Sequence, residues 1–210
     1  MKSAEKLCME ENHMEKVYSS KNILVRYVHI KRLKKIIEFI PKKKDQKILD
    51  AGCGEGHLLS MIGESSISKE VQLYGSDITH VALKNAKKRV KRGTFSLENL
   101  KNLSHKEGCF DVVICTEVIE HIVAYKKVLR ELKRVTKRGG LLILTFPNEP
   151  LWTFSRFLLF RRPIKVPDHY NSFSPEQMIK EVGLKVEKRY NIPFDIPACL
   201  ALTRILAFRK

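Results

Sequence analysis

From Asn22 to Ile40 apolar residues fall at helical spacing. Ile23, Tyr27, Ile30 and Ile37 mark successive turns, Lys34 interrupts them, and Val28, Leu33 and Ile36 widen the stripe. The pattern predicts an amphipathic helix ended by Pro41, then a polar connection over Lys42–Lys47. Beyond it the period changes. Short apolar, β-branched runs predict strands at Lys47–Ala51, Val71–Gly75, Thr94–Leu97, Phe110–Cys115 and Leu141–Phe146. Between them the spacing predicts helices at His57–Ile62, at Thr79–Val90 with Thr79 as cap, and at Tyr125–Thr136. Gly52–Gly56 reads as a glycine loop and Gly139-Gly140 as a turn. Strands alternating with helices imply an α/β fold, a doubly wound and mostly parallel sheet covered on both faces.

After Phe146 the alternation breaks. Pro147–Ser172 carries four prolines and three phenylalanines, the mark of an ordered insertion or lid after the fifth strand. Ser174 then caps a helix with Pro175 at its first position, and Gly183 ends it. Leu184–Tyr190 predicts a further strand, whereas Asn191–Lys210, apolar with two prolines, suits either strand or helix. The expected organisation is one domain over 1–210. It divides into an N-terminal helical segment (1–45), a core (46–146), a lid (147–173) and a C-terminal part of the sheet (174–210). A chain of 210 residues can bury such a core without metal or disulfide staples.

Charge adds a possible partner class. Forty Lys and Arg against 23 Asp and Glu give a net +17, concentrated in Lys31–Lys47, Lys84–Arg92 and Lys126–Arg138. Such stripes favour nucleic acid, anionic lipid or an acidic substrate, and equally suit plain solvated helix faces. No apolar run reaches the roughly 18–20 residues of a membrane span. Met1–Lys16 has no apolar stretch, so a secretory signal is not expected. Five cysteines without C-x-x-C spacing read as reduced thiols, which implies a cytoplasmic setting, with peripheral membrane association left open.

The densest chemical signal is Asp50-Ala51-Gly52-Cys53-Gly54-Glu55-Gly56, which follows a strand and opens a helix. Alternating glycines let the backbone approach a ligand at the carboxyl end of a sheet. Asp77 ends the next strand about 20 residues on, where an acid meets the ribose hydroxyls of a bound nucleoside. A dinucleotide fingerprint needs a third glycine where His57 or Leu59 stands, and a phosphate-binding loop needs a Gly-Lys-Ser/Thr that is missing.

This D-x-G-x-G-x-G loop with its distant acid resembles the class I S-adenosylmethionine (SAM)-dependent methyltransferases, a Rossmann-like fold. Phe110–Ile122 is similar to the fourth-strand motif of that family, Arg134–Thr145 to its turn into the fifth strand, and His169–Val186 to the stretch beyond. The resemblance covers about residues 46–190. It is nearest to the quinone-biosynthesis O-methyltransferases and the broad small-molecule methyltransferases. It implies that Asp50, Gly52 and Gly54 meet the methionine end of SAM, that Asp77 binds ribose and that Ile78 packs on adenine. Thr116 would offer backbone near the sulfonium. Cys53, Gly56, Leu97, Glu98 and Glu117 complete the implied cofactor-binding set. Relatives carry an Asp where Ser96 stands, so either Ser96 or Glu98 would meet the adenine amino group. An arginine on the first helix, Arg26, would reach the methionine carboxylate.

SAM brings an activated methyl group, so the protein must align a nucleophile and, where the acceptor is a hydroxyl, help to deprotonate it. Glu117, Glu120 and His121 stand at i, i+3 and i+4, on one face of a helix that begins at Glu117. With His169 or His57 they would suit Mg²⁺ or Mn²⁺. The E-x-x-E-H pattern is similar to that of quinone O-methyltransferases and of small-RNA 2′-O-methyltransferases. Without a metal, His121 or His169 would act as general base. The alternative is structural: glutamates favour a first helical turn. Cys53 and Cys115 read as space-filling residues. Trp152, Phe154, Phe157, Leu158, Leu159 and Phe160, ringed by Arg156, Arg161, Arg162 and Lys165, suit a lid over a hydrophobic substrate or a contact with anionic membrane. Three functions follow: a small-molecule methyltransferase acting on a hydroxylated aromatic, quinone-like or lipid-linked acceptor; an RNA 2′-O-methyltransferase; or a catalytically silent SAM-fold subunit. Oligomeric state is not legible.

Overall fold

Apolar runs that alternate Ile48/Leu49, Val112/Val113 and Leu142/Ile143 send successive side chains to opposite faces of one sheet, and all six are essentially inaccessible to solvent. The computed structural model describes residues 22–66, 71–158, 169–197 and 199–210. Helix α1 (Ile23–Phe39) is followed by β1 (Gln46–Ala51), α2 (His57–Glu64), β2 (Val71–Asp77), α3 (His80–Arg89) and β3 (Gly93–Leu97). Then come β4 (Phe110–Thr116), a single 3-10 turn (Ile119–His121), α4 (Tyr125–Val135), β5 (Thr136–Pro147) and α5 (Glu149–Leu158). The chain closes with α6 (Pro175–Val182), β6 (Lys185–Ile192) and β7 (Thr203–Arg209).

The seven strands lie in the order β3-β2-β1-β4-β5-β7-β6. Strands β1 to β5 pair in parallel, and β7 inserts antiparallel between β5 and β6. One face is covered by α1, α2 and α3 through Leu33, Ile36, Leu59, Ile62 and Leu83, the other by α4 and α6 through Leu129, Leu132, Met178 and Val182. The strand order runs outward in one direction through β1-β2-β3 and in the other through β4-β5. The reversal between β1 and β4 opens a crevice at their carboxyl ends, the usual ligand position in such sheets.

Several expectations are met in detail. Ser174 caps α6 by accepting from Gln177 N at 3.1 Å, and the first helix forms as expected, with Asn22 as a cap the spacing did not name, accepting from Val25 N at 3.1 Å. Gly183 closes α6 in the left-handed region. Others are corrected. Thr79 occupies the N-cap position of α3, but its side chain makes no cap bond, and Asp77 Oδ1 accepts the Thr79 N–H instead at 2.8 Å. Gly139-Gly140 is a bulge inside β5 and not a turn before it. Gly139 has φ +72°, and the pairing jumps from Phe110–Thr136 to Val112–Leu141. The ambiguous segment 191–210 completes β6 at Ile192 and supplies β7, because Ile205–Phe208 is buried on both faces between β5 and β6.

Of the segment 147–173 expected as a lid, the described residues form the end of β5, α5 and the stretch 169–173. Leu159, Phe160, Arg161, Arg162 and Lys165 lie outside the described residues, as do the side chains of Arg156 and Leu158. Trp152 packs against the α1 side of the core, whereas Phe154 and Phe157 are exposed. Among the described residues no helix is long and apolar enough to cross a membrane. Cys53, Cys109, Cys115 and Cys199 are free thiols.

Candidate active site

The glycine loop leaves β1 at the reversal point and is tied to the neighbouring strand. Ser76 O accepts from Gly52 N (2.7 Å) and Cys53 N (3.0 Å). Asp77 Oδ2 accepts from Gly54 N at 2.8 Å. Gly52, Gly54 and Gly56 all have positive φ. At Gly52 (φ +82°) a Cβ would also stand 2.6 Å from Val118 Cγ2. Gly52→Ala is therefore expected to lower stability by about 1–2 kcal/mol for the left-handed backbone alone, with a further cost from Val118. Denaturant titration measures this, and an unchanged midpoint would mean that the loop relaxes freely.

Asp50 ends up 1% exposed, with Oδ1 lacking a hydrogen-bond partner. Burial first, and then the charge of Asp77, pushes its pKa up to about 7. A buried carboxyl in this state is poised for a cationic or donor group entering the crevice. Burial likewise raises the Cys53 and Cys115 thiols above their ordinary value, which keeps both protonated and agrees with a space-filling role. Ile78 and Leu97, at the carboxyl ends of β2 and β3, are 49% and 57% exposed. Two open apolar side chains on a crevice rim suit the faces of a planar ring. Glu98 donates its backbone N–H to Asp77 O at 2.9 Å, but its carboxylate is engaged by the Ser104 hydroxyl and lies 3.8 Å from His105. Ser96 pairs with Ser76 in the β2–β3 ladder and is half-buried.

On the other side of the crevice the expected helical face does not form. Glu117 has φ +54°, so β4 breaks sharply and only the 3-10 turn Ile119–His121 follows. This separates Glu117 from Glu120 and His121. Glu117 accepts from Thr145 Oγ1 at 3.0 Å and pairs with Arg32 at 3.3 Å. Thr145 Oγ1 also lies 3.0 Å from Thr116 Oγ1, locking the ends of β4 and β5 together. Glu120, His121 and His169 converge instead, each with a ligand atom within 4.8 Å of the others. The His121 and His169 rings meet edge to face, with centroids 4.5 Å apart. His57 stands apart beside Glu55 at 3.4 Å.

Glu120 is 1% exposed, and neither carboxyl oxygen has a hydrogen-bond partner. Burial, reinforced by the neighbouring Glu117, pushes its pKa well above the ordinary carboxyl value and favours the protonated form. The segment carrying His169 is clipped over this turn: Glu120 O accepts from Tyr170 N (2.9 Å) and Asn171 N (3.1 Å), and Asn171 Nδ2 donates to Ile122 O (2.9 Å).

Three residues escaped the sequence. Arg26 lines an outer groove of α1 with Tyr27 and Lys34. The inward arginine is Arg32, 2% exposed, whose signal was its i+4 place between Val28 and Ile36 on the apolar stripe. Thr145 joins the site because parallel pairing lays Thr116 against it. Glu149, at the start of α5, contacts His169 Nδ1, and nothing in local spacing announces that pair.

Residues 42–176 match a family model described as a methyltransferase domain. The chain is 27% identical over 199 residues to the mitochondrial ubiquinone biosynthesis O-methyltransferase of Rattus norvegicus, covering 85% of this chain and 56% of that one. The chain spans about half the length of the curated relatives it matches. A solved protein of Pyrococcus horikoshii OT3 has a TM-score of 0.74 at 18% identity, over 96% of this chain and 99% of its own. Magnesium protoporphyrin IX methyltransferase of Synechocystis PCC 6803, solved with bound SAH, has a TM-score of 0.69 at 18% identity, over 94% and 92%. At these identities the two structures show a shared fold. The family match runs from the approach to β1 through the whole crevice to the start of α6, and so takes in both sides of the site. The chain therefore belongs to the class I SAM-dependent methyltransferases.

Proposed function

We propose that the protein transfers a methyl group from SAM to an oxygen of a small-molecule acceptor, a hydroxylated aromatic, quinone-like or lipid-linked compound. The observation that carries this reading is the cluster of buried Glu120 with the half-buried His121 and His169, set one turn beyond β4 and so beside the cofactor crevice. The name of the rat relative points the same way on acceptor class.

SAM, when bound, supplies a methyl carbon with sulfur as leaving group. Asp50 would face the positive methionine end, Asp77 would accept from the ribose hydroxyls, and Ile78 and Leu97 would cover the adenine. His169 would take the proton of the acceptor's attacking oxygen. Glu120, buried and in its protonated form, would present a donor to the acceptor's second oxygen. The same donors fit a divalent cation, because Glu120 has two buried oxygens without partners beside two imidazoles. Glu120, His121 and His169 would hold such an ion, and it would acidify an acceptor hydroxyl. Glu117, turned toward Arg32 and Thr145, is not in that set.

The test uses methyl-labelled SAM and cell extract, with label partitioned between organic solvent and the RNA fraction. Label in the organic phase is expected. Label in RNA would replace this reading with an RNA 2′-O-methyltransferase, for which the +17 charge supplies the phosphate contacts. No calorimetric signal with SAM would leave a silent SAM-fold subunit.

A further inference from the structure

We propose that Glu149 is a positioning residue of the acceptor site: its carboxylate accepts the Nδ1–H of His169, fixes the ring in one tautomer and leaves Nε2 as the nitrogen that works in the cleft. The inference builds on the acceptor-site reading, but its first measurement needs neither SAM nor acceptor.

The chemistry of the contact sets the tautomer. A neutral imidazole carries one N–H donor and one acceptor nitrogen, and an ionised carboxylate only accepts. Contact between Glu149 Oε1 and His169 Nδ1 therefore places the proton on Nδ1. The lone pair that can take a proton, or bind a cation, is then on Nε2. Without Glu149 the proton can sit on either nitrogen, and the ring can rotate to suit.

Both partners are held by the fold from different sides. Glu149 is buried at the first position of α5. The residue before it is bolted to the chain leading into β7. Asn148 Nδ2 donates to Cys199 O (3.1 Å) and Ala201 O (2.9 Å), and Asn148 N donates to Leu202 O (2.8 Å). His169 is held from the opposite side by the bonds of Tyr170 and Asn171 to the carbonyls of the 3-10 turn. Glu149 thus joins two rigid frames 20 residues apart in sequence, and the pair is shielded, unlike a fluctuating surface ion pair. An acid in a first helical turn is favoured by the helix dipole. That general preference accounts for a glutamate at this position and leaves its aim at His169 unaccounted for.

A positioning role predicts a specific division of effects. Cofactor binding depends on Asp50, the glycine loop and Asp77 and is untouched. Turnover depends on the His169 lone pair and falls. Partners that orient a working imidazole typically matter by 10–100-fold.

The experiment uses full-length protein labelled with ¹⁵N in its histidines, without added metal or SAM, at pH 8. His169 signals are identified by their loss in His169→Asn. The expected result is a protonated Nδ1 and an unprotonated Nε2 in wild type. Glu149→Gln keeps this pattern, because its amide oxygen still accepts, and Glu149→Ala gives the other tautomer or a mixture. With an acceptor in hand, Glu149→Ala is expected to lower kcat by about 10–100-fold at little changed KM, with Glu149→Gln recovering most of the loss and the SAM Kd the same in all three. A wild-type His169 protonated on Nε2, or a tautomer indifferent to Glu149→Ala, would overturn the proposal. Should Glu149→Ala fail to fold, the wild-type spectrum and Glu149→Gln still decide it. A correct tautomer with label found only in RNA would overturn the acceptor reading and leave the positioning role standing.

Discussion

Asp50→Asn is expected to make the ligand-free protein more heat-resistant above neutral pH while weakening its hold on SAM. Asp50 is buried at the end of β1, with one oxygen unpartnered and Asp77 as its charged neighbour. Burial and that neighbour raise its pKa from 3.8 to about 7. The unfolded chain therefore releases this proton near pH 4, whereas the folded chain keeps it until about pH 7. Between those values the folded state binds more protons, so stability falls as pH rises through the window. Below it the group is neutral in both states, and above it the full penalty is present. A displacement of that size corresponds to at most about 4 kcal/mol.

The amide removes the penalty. At about 2–4 °C per kcal/mol for a chain of this size, the variant should gain roughly 5–10 °C in Tm at pH 8. It should gain almost nothing at pH 4. In the proposed function the same change removes the negative charge offered to the methionine ammonium, and at about 1.4 kcal/mol per tenfold the SAM affinity should fall tenfold or more. Thermal melts across pH and calorimetric titration with SAM check the two halves. Equal melting at pH 8 would show that Asp50 carries no strain in the free protein, and an unchanged Kd would remove it from the cofactor set.

What could be read from the sequence was whatever local spacing controls. The strand–loop–helix run around Gly52 and the acid at Asp77 are fixed by short-range pattern, and the crevice assembles them as expected. The Ser174-Pro175 start and the Gly183 stop of α6 are equally local. The Thr79 cap fails locally, because Asp77 two residues earlier takes the Thr79 N–H, whereas β7, the turn at Glu117 and Glu149 share one cause, pairing between distant segments. Strand β7 was ambiguous because a short apolar run suits helix or strand until its partners are known. Those partners lie about 60 residues upstream in β5 and just behind in β6. The turn at Glu117 follows from its backbone N–H donating to Thr145 O at 3.2 Å, a bond imposed by the β4–β5 register. That bond bends the chain where i, i+3, i+4 counting assumes a helix, so Glu117 goes to Arg32 and Glu120 and His121 go to His169. Glu149 was invisible for the same reason: its partner is 20 residues away across a segment with no periodic pattern.

The two sides of the crevice also differ in how they store strain. On the β1–β2 side, like charges are held close and glycines carry the unusual backbone. On the β4–β5 side, a non-glycine residue carries the unusual backbone and a buried arginine offsets its charge. Such features persist only where surrounding structure over-determines them, and they concentrate at working sites. In the proposed function, ligand entry would relieve the first side by offsetting the charge of Asp50. The second is already satisfied through Arg32 and Thr145.

Asp77→Ala is expected to have the largest effect on cofactor binding, because one carboxylate does two tasks. Its oxygens accept from Gly54 N and Thr79 N, both at 2.8 Å, so it fixes the glycine loop and the start of α3. Each oxygen has a second lone pair free for a ribose hydroxyl. Hydrogen bonds to a charged group are worth about 1.5–3 kcal/mol each. Losing two therefore weakens SAM binding by roughly 10²–10⁴-fold at 1.4 kcal/mol per tenfold, before the loosened loop adds its share. Asp77→Asn retains one acceptor oxygen and should fall between. The variant also has a signature that generic damage lacks. With Asp77 gone, Asp50 loses its repelling neighbour, so the fall in stability between pH 4 and 7 should shrink. Asp50→Asn should then stabilise the Asp77→Ala background less than it stabilises wild type, a non-additivity expected only of groups that interact directly. Calorimetry and pH-resolved melts of the four proteins in that cycle carry the test. SAM affinity within a few-fold of wild type in Asp77→Ala would place the ribose elsewhere. Additive stabilities would mean that burial alone, without Asp77, sets the state of Asp50.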